Sequence, residues 1–67
     1  MSVAKVIEIT AQSPDSFEAA VEKGIERTAK TVDNIQSVWV KEMKADVENG
    51  KVSTYRVDLK VTFILSK

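Results

Sequence analysis

The sequence contains no cysteine and no histidine. The first absence excludes disulfides and thiolate metal sites. The second removes the commonest general base and the commonest transition-metal ligand. Proline occurs once and glycine twice, and the aromatic set is one Trp, one Tyr and two Phe. Neither sign of charge dominates, with 10 basic and 10 acidic side chains. A neutral domain lacks the electrostatic footprint of a nucleic-acid binder. No apolar run approaches the roughly 20 residues that span a bilayer. Glu8 interrupts the N-terminal apolar stretch, which speaks against a signal peptide, and a cytoplasmic location is expected. No Gly-rich phosphate loop and no nucleophile motif is present, so an enzyme is not expected.

What is there is 67 residues, read as one domain spanning 1–67. A chain of this size buries only about 60% of the surface it exposes when unfolded. Small domains gain help from disulfides, metals or partners. Self-association is the form of help that this composition leaves open.

The most strongly patterned stretch runs from Ser13 to about Val32 and predicts a helix. Phe17, Val21, Ile25, Thr28 and Val32 recur at steps of three and four and form one stripe, flanked by Ala20 and Gly24. Glu18, Glu22, Lys23, Glu26 and Lys30 fall opposite. Ser13 is the expected cap, Pro14 suits a first helical position, and Asp15 faces the positive end of the helix dipole. Glu26 and Lys30 form an i,i+4 pair. Asp33-Asn34 is the expected exit.

Strands are predicted on both sides of this helix. Val3 to Thr10 is the first, with Ile7 and Ile9 toward the helix and Val6 and Glu8 away from it. Ala11-Gln12 is read as the connection. Ile35 to about Val47 is the second. Its apolar phase switches after Glu42, from Val38 and Val40 to Met43, Ala45 and Val47, which predicts a bulge near Lys41–Glu42. Asn49-Gly50 is a type I′ hairpin signal. Val52 to Leu65 is the third strand, with Tyr55, Val57, Leu59, Val61, Phe63 and Leu65 toward the helix. The fold class is therefore α+β: a β-α-β-β chain with a three-stranded antiparallel sheet curled around one helix.

Alternation puts Trp39 on the sheet face away from the helix, with Val6 and Ile64 as candidate neighbours. A large aromatic ring beside other apolar groups calls for a cover, either another copy of the chain or a flat ligand. Unpaired strand edges add to the case for a second copy.

Val6-Ile7-Glu8-Ile9, Ser13-Pro14-Asp15-Ser16, Thr31-Val32-Asp33-Asn34 and Thr54-Tyr55-Arg56-Val57-Asp58-Leu59-Lys60-Val61, with Phe63 and Leu65, together resemble the dodecin family. The resemblance implies a hollow homododecamer and non-catalytic flavin binding for storage or protection. Riboflavin and FMN are the implied ligands. In that family flavins stack in pairs between tryptophans, and a glutamine on the last strand hydrogen-bonds the ring. Here the tryptophan position falls at Ser37 and the glutamine position at Arg56, while the single Trp is Trp39, two residues on. Two residues restore the same strand face about 6–7 Å away. The Tyr55-Arg56 pattern without the usual tryptophan is similar to a calcium-binding branch of the family. That branch implies an alternative: a structural or calcium-binding oligomer with the flavin site lost, its metal ligands unassigned.

Each candidate residue has a competing structural reading. Trp39 is a stacking platform or an oligomer contact. Arg56 is an anion or ring contact, or one member of an ion pair. Ser37 marks a gap where the family stacks a ring. Gly24 marks a close approach of helix to sheet. Glu18, Glu22 and Glu26 form a hard-cation site or a solvated face, and Asp33, Asp46 and Glu48 carry the same two readings.

Overall fold

β3 (Lys51–Ile64) is the middle strand of the sheet and carries its core. The computed structural model describes residues 2–65. Along the chain, β1 (Ala4–Ser13), α1 (Phe17–Thr28), β2 (Ile35–Glu48) and β3 follow in order. The spatial strand order is β1-β3-β2, and β3 pairs antiparallel with both neighbours. Val57, Leu59 and Val61 are fully buried, as their alternation requires. They lie between α1 on one face and the flanking strands at their sides. Ile7, Ile9 and Ala11 of β1 and Val38 and Val40 of β2 pack around them.

The helix begins three residues later than the sequence suggests. Ser16 is the cap, and its hydroxyl accepts from the Ala19 N–H at 2.9 Å. Ser13 instead ends β1, paired with Tyr55 and 3% exposed. A residue before proline is pushed to extended backbone, so Pro14 keeps Ser13 in the strand. The Ser13 hydroxyl accepts from the Asp15 N–H at 3.0 Å and shapes the turn. Ala11 and Gln12 are strand residues as well, not a connection.

At its other end the helix stops at Thr28, with Ala29 as cap. Its hydrogen-bond pattern trails on as a turn, because the Val32 N–H still reaches the Thr28 carbonyl at 2.9 Å. That trailing turn explains why the apolar period runs on to Val32. Lys30 lies in it, outside the helix. Asn34 adopts φ 63 and swings the chain into β2.

The buried row of α1 is Ala20, Gly24 and Thr28, four residues apart. Phe17, Val21 and Ile25 are half-buried along its margin. The stripe is thus centred on the small residues rather than the large ones. Small side chains let the helix backbone come closer to the sheet. A Cβ on Gly24 would lie 3.0 Å from Ala11 Cβ and 3.1 Å from Leu59 Cδ1.

The bulge in β2 is present. The register with β3 shifts between Val40 and Glu42, leaving Lys41 as the extra residue. Further shifts occur between Ile35 and Ser37 and between Asp46 and Val47. Asn49 and Gly50 both take positive φ, 53 and 75, as a type I′ turn demands. β1 ends opposite Tyr55, so the β2–β3 hairpin continues beyond it as a two-stranded arm. The molecule is accordingly long, about 51 × 19 × 13 Å. Leu65, expected against the helix, is 41% exposed beyond the end of β3.

Candidate functional site

The sheet face turned away from α1 is built of cross-strand rows, each with one residue from each strand. The alternation of β3 supplies Thr62, Lys60, Asp58 and Arg56 to it. From β1 come Val6, Glu8, Thr10 and Gln12, and from β2 Ser37, Trp39, Glu42 and Lys44, in matching register. Directly opposed side chains on one face lie close enough to interact, so these rows set the chemistry of the face.

Trp39 sits opposite Lys60, which sits opposite Glu8. The indole is the most prominent apolar group on this face, with Trp39 62% exposed. Lys60 Nζ lies 5.4 Å from the ring centroid, a cation–π arrangement, worth about 0.5–1 kcal/mol at an exposed site. Glu8 is taken by another lysine: Lys41 Nζ reaches Glu8 Oε2 at 3.7 Å. Alternation from Trp39 puts Lys41 on this face, and the bulge brings Glu42 to the same side. Two lysines thus converge on one glutamate, and among the described residues Lys60 has no ion pair. Ser37 is the neighbour of Trp39 on β2, opposite Thr62, and is small and exposed.

Arg56 stands two rows away, four residues from Lys60 and so about 13 Å along β3. Its guanidinium donates to Asp46 Oδ2 at 2.8 Å and to Gln12 Oε1 at 3.1 Å. It thereby ties the arm of β2 to the end of β1. Of the three residues singled out in the sequence, Ser37 and Trp39 are brought together. Arg56 shares their face but is held by its own chain at a distance. Lys60, Lys41 and Glu8 are the residues that sequence reasoning passed over. The register that puts Lys60 opposite Trp39 is their only signal, and it depends on a bulge position read to within one residue.

Between these two groups lies a depression of ≈ 200 Å³ lined by Thr10, Glu42, Lys44, Arg56 and Asp58. Glu42 and Asp58 pair directly across the strands. Like charges so placed repel, and the Thr10 hydroxyl offsets part of this by donating to Asp58 Oδ1 at 3.0 Å. Calcium takes six to eight oxygen ligands. Two carboxylates and a hydroxyl fall short of that, and no group of three or more acidic side chains among the described residues is placed to hold a metal ion. The Glu18, Glu22 and Glu26 row is exposed to solvent. No helix among the described residues is long and apolar enough to cross a membrane.

Comparison with known proteins supplies the context for this face. The family model described as Dodecin matches residues 3–66. The chain is 40% identical over 63 residues to the calcium dodecin of Mycobacterium tuberculosis, covering 94% of this chain and 89% of that protein. The crystal structure of that protein, described as calcium chelating with a novel calcium-binding site, superposes with a TM-score of 0.83 at 39% identity, over 97% of this chain and 93% of that one. A dodecin from Streptomyces davaonensis superposes with a TM-score of 0.94 at 27% identity, over 98% and 97% of the two chains. A variant of the T. thermophilus dodecin gives 0.95 at 30% identity, over the full length of both.

Proposed function

The chain belongs to the dodecin family, and on that premise we propose that it is a non-catalytic binding protein that assembles with copies of itself and sequesters a flavin. The shell expected of the family is a hollow homododecamer. Three features of the single chain support self-assembly. Its core is small, both outer strands have free edges, and Val6, Trp39, Met43, Val47 and Val52 are exposed. Apolar groups left in water favour association.

The observation that carries the ligand reading is the exposure of Trp39 on the far face. Trp39 is the aromatic platform, and Ser37 leaves room beside it for a flat ring. Aromatic faces attract one another beyond the apolar area they bury. Riboflavin and FMN share such a ring. A role in storage or protection fits a chain without histidine or cysteine to turn the ligand over. The balanced charge supports neither nucleic acid nor a membrane surface as partner, and a cytoplasmic place remains our reading.

The test is a titration of purified protein into riboflavin and into FMN, followed by fluorescence, with Trp39→Ala alongside. The expected result is quenching in the parent protein and little or none in Trp39→Ala. Unquenched flavin in both would rule the reading out.

A second reading, a calcium-binding or purely structural oligomer, is favoured by the likeness to the calcium dodecin. The opposed Glu42 and Asp58 are its best anchor on this chain. They need donors from outside the chain to complete a calcium shell. Its test is the thermal midpoint with millimolar calcium against chelator. An unchanged midpoint and unchanged assembly would exclude the ion.

A further inference from the structure

We propose that Lys60 sets the charge of the ligand that Trp39 accepts, making the platform selective for a flat-ring ligand that carries an anionic group over a neutral one. This rests on the ring-binding reading above and deepens it. The argument begins with where the lysine is. Its ammonium lies 5.4 Å from the indole centroid, over one face of the ring. A flat ligand that stacks on that face displaces Lys60. Displacing it forfeits the attraction between the cation and the indole.

A neutral ligand offers nothing in return for that loss. An anionic ligand does, because the displaced ammonium, on its long flexible stem, swings toward the ligand's anionic group and pairs with it. The neighbouring charges strengthen this. Glu8 is the carboxylate directly opposite Lys60, and Lys41 already engages it at 3.7 Å. Asp58, on the same face of β3, holds the Thr10 hydroxyl at 3.0 Å. Lys60 is therefore the cation of this row that makes no ion pair among the described residues, and Lys41 brings a second positive charge to the Glu8 carboxylate beside it.

Riboflavin and FMN isolate the effect, since they share the ring and differ by a phosphate. The experiment measures both affinities at low and high salt in the parent protein, Lys60→Gln and Lys60→Arg, with assembly checked for each. The expected result is FMN tighter than riboflavin by roughly three- to fivefold at low salt, with the preference shrinking as salt rises. In Lys60→Gln the preference disappears and riboflavin binding improves. Lys60→Arg restores the preference. Equal affinities in the parent protein, or a preference that survives in Lys60→Gln, overturn the role of Lys60 while leaving the ring-binding reading intact. Absence of binding by either flavin to the parent protein and to Lys60→Gln overturns both.

Discussion

The Arg56 guanidinium donates to Asp46 at 2.8 Å while its Nε reaches Gln12 at 3.1 Å, so one side chain from the central strand clasps both outer strands. The clasp sits where β1 ends and the two-stranded arm begins. Its partners are partly exposed, with side-chain exposures of 34% and 41% for Arg56 and Asp46. Solvent screening keeps such a pair weak.

Arg56→Gln is expected to cost about 0.5 kcal/mol, with the cost falling at high salt. Urea unfolding at two ionic strengths measures it. A salt-independent loss larger than 2 kcal/mol, well above the usual range, would mean that the arm depends on Arg56 for more than its charge.

Ser37→Trp combined with Arg56→Gln places the family's tryptophan and glutamine on this face. A further stacking ring is worth about 1–3 kcal/mol, so riboflavin affinity should rise roughly tenfold or more. Flavin fluorescence titration reads the change. No gain would mean that Lys60 and Trp39 already occupy the space the ring needs.

Gly24→Ala tests the approach of helix to sheet. Alanine favours the helix by about 1 kcal/mol, but its Cβ would sit 3.0 Å from the Ala11 Cβ, an atom fixed to strand backbone. Overpacking costs about 1–3 kcal/mol, so the net effect is destabilisation, read as a lower thermal midpoint. Stabilisation would show that α1 can slide outward freely.

Leu59→Ala removes the largest fully buried side chain. The expected cost is about 2–5 kcal/mol, a large fraction of the stability of so small a domain. Loss of assembly at micromolar protein is the readout, by size-exclusion chromatography.

Glu42→Gln removes one member of the opposed carboxylate pair. It should stabilise the calcium-free protein by a few tenths of a kcal/mol, since like charges facing across strands repel. If calcium seats there, the same change abolishes any calcium-dependent rise in the thermal midpoint. A rise that persists would put the ion elsewhere.

The element order was legible because β3 alternates over its whole length and α1 keeps its period. Both are one-dimensional signals with a direct structural cause. The bulge at Lys41 was legible for the same reason, as a change of phase. The helix start was misplaced because Ser13 and Ser16 are both capping residues at the head of one pattern. Only the pairing of Ser13 with Tyr55 separates them. The centre of the buried stripe was misplaced because hydrophobicity points to the large residues, whereas close packing against a sheet selects Ala20 and Gly24.

The candidate site divides along the same line. Strand period alone puts Ser37, Trp39 and Arg56 on one face. It does not say which residues on other strands meet them, because opposition depends on register, and one bulge residue shifts every later partner. Tertiary structure decided that Lys60 covers Trp39, that Lys41 takes Glu8, and that Arg56 is spent on Asp46 and Gln12. Which way a side chain faces is a local property of backbone geometry, and the sequence by itself determined it. What that side chain touches is a property of the whole fold, since a partner such as Asp58 for Thr10 lies 48 residues away along the chain.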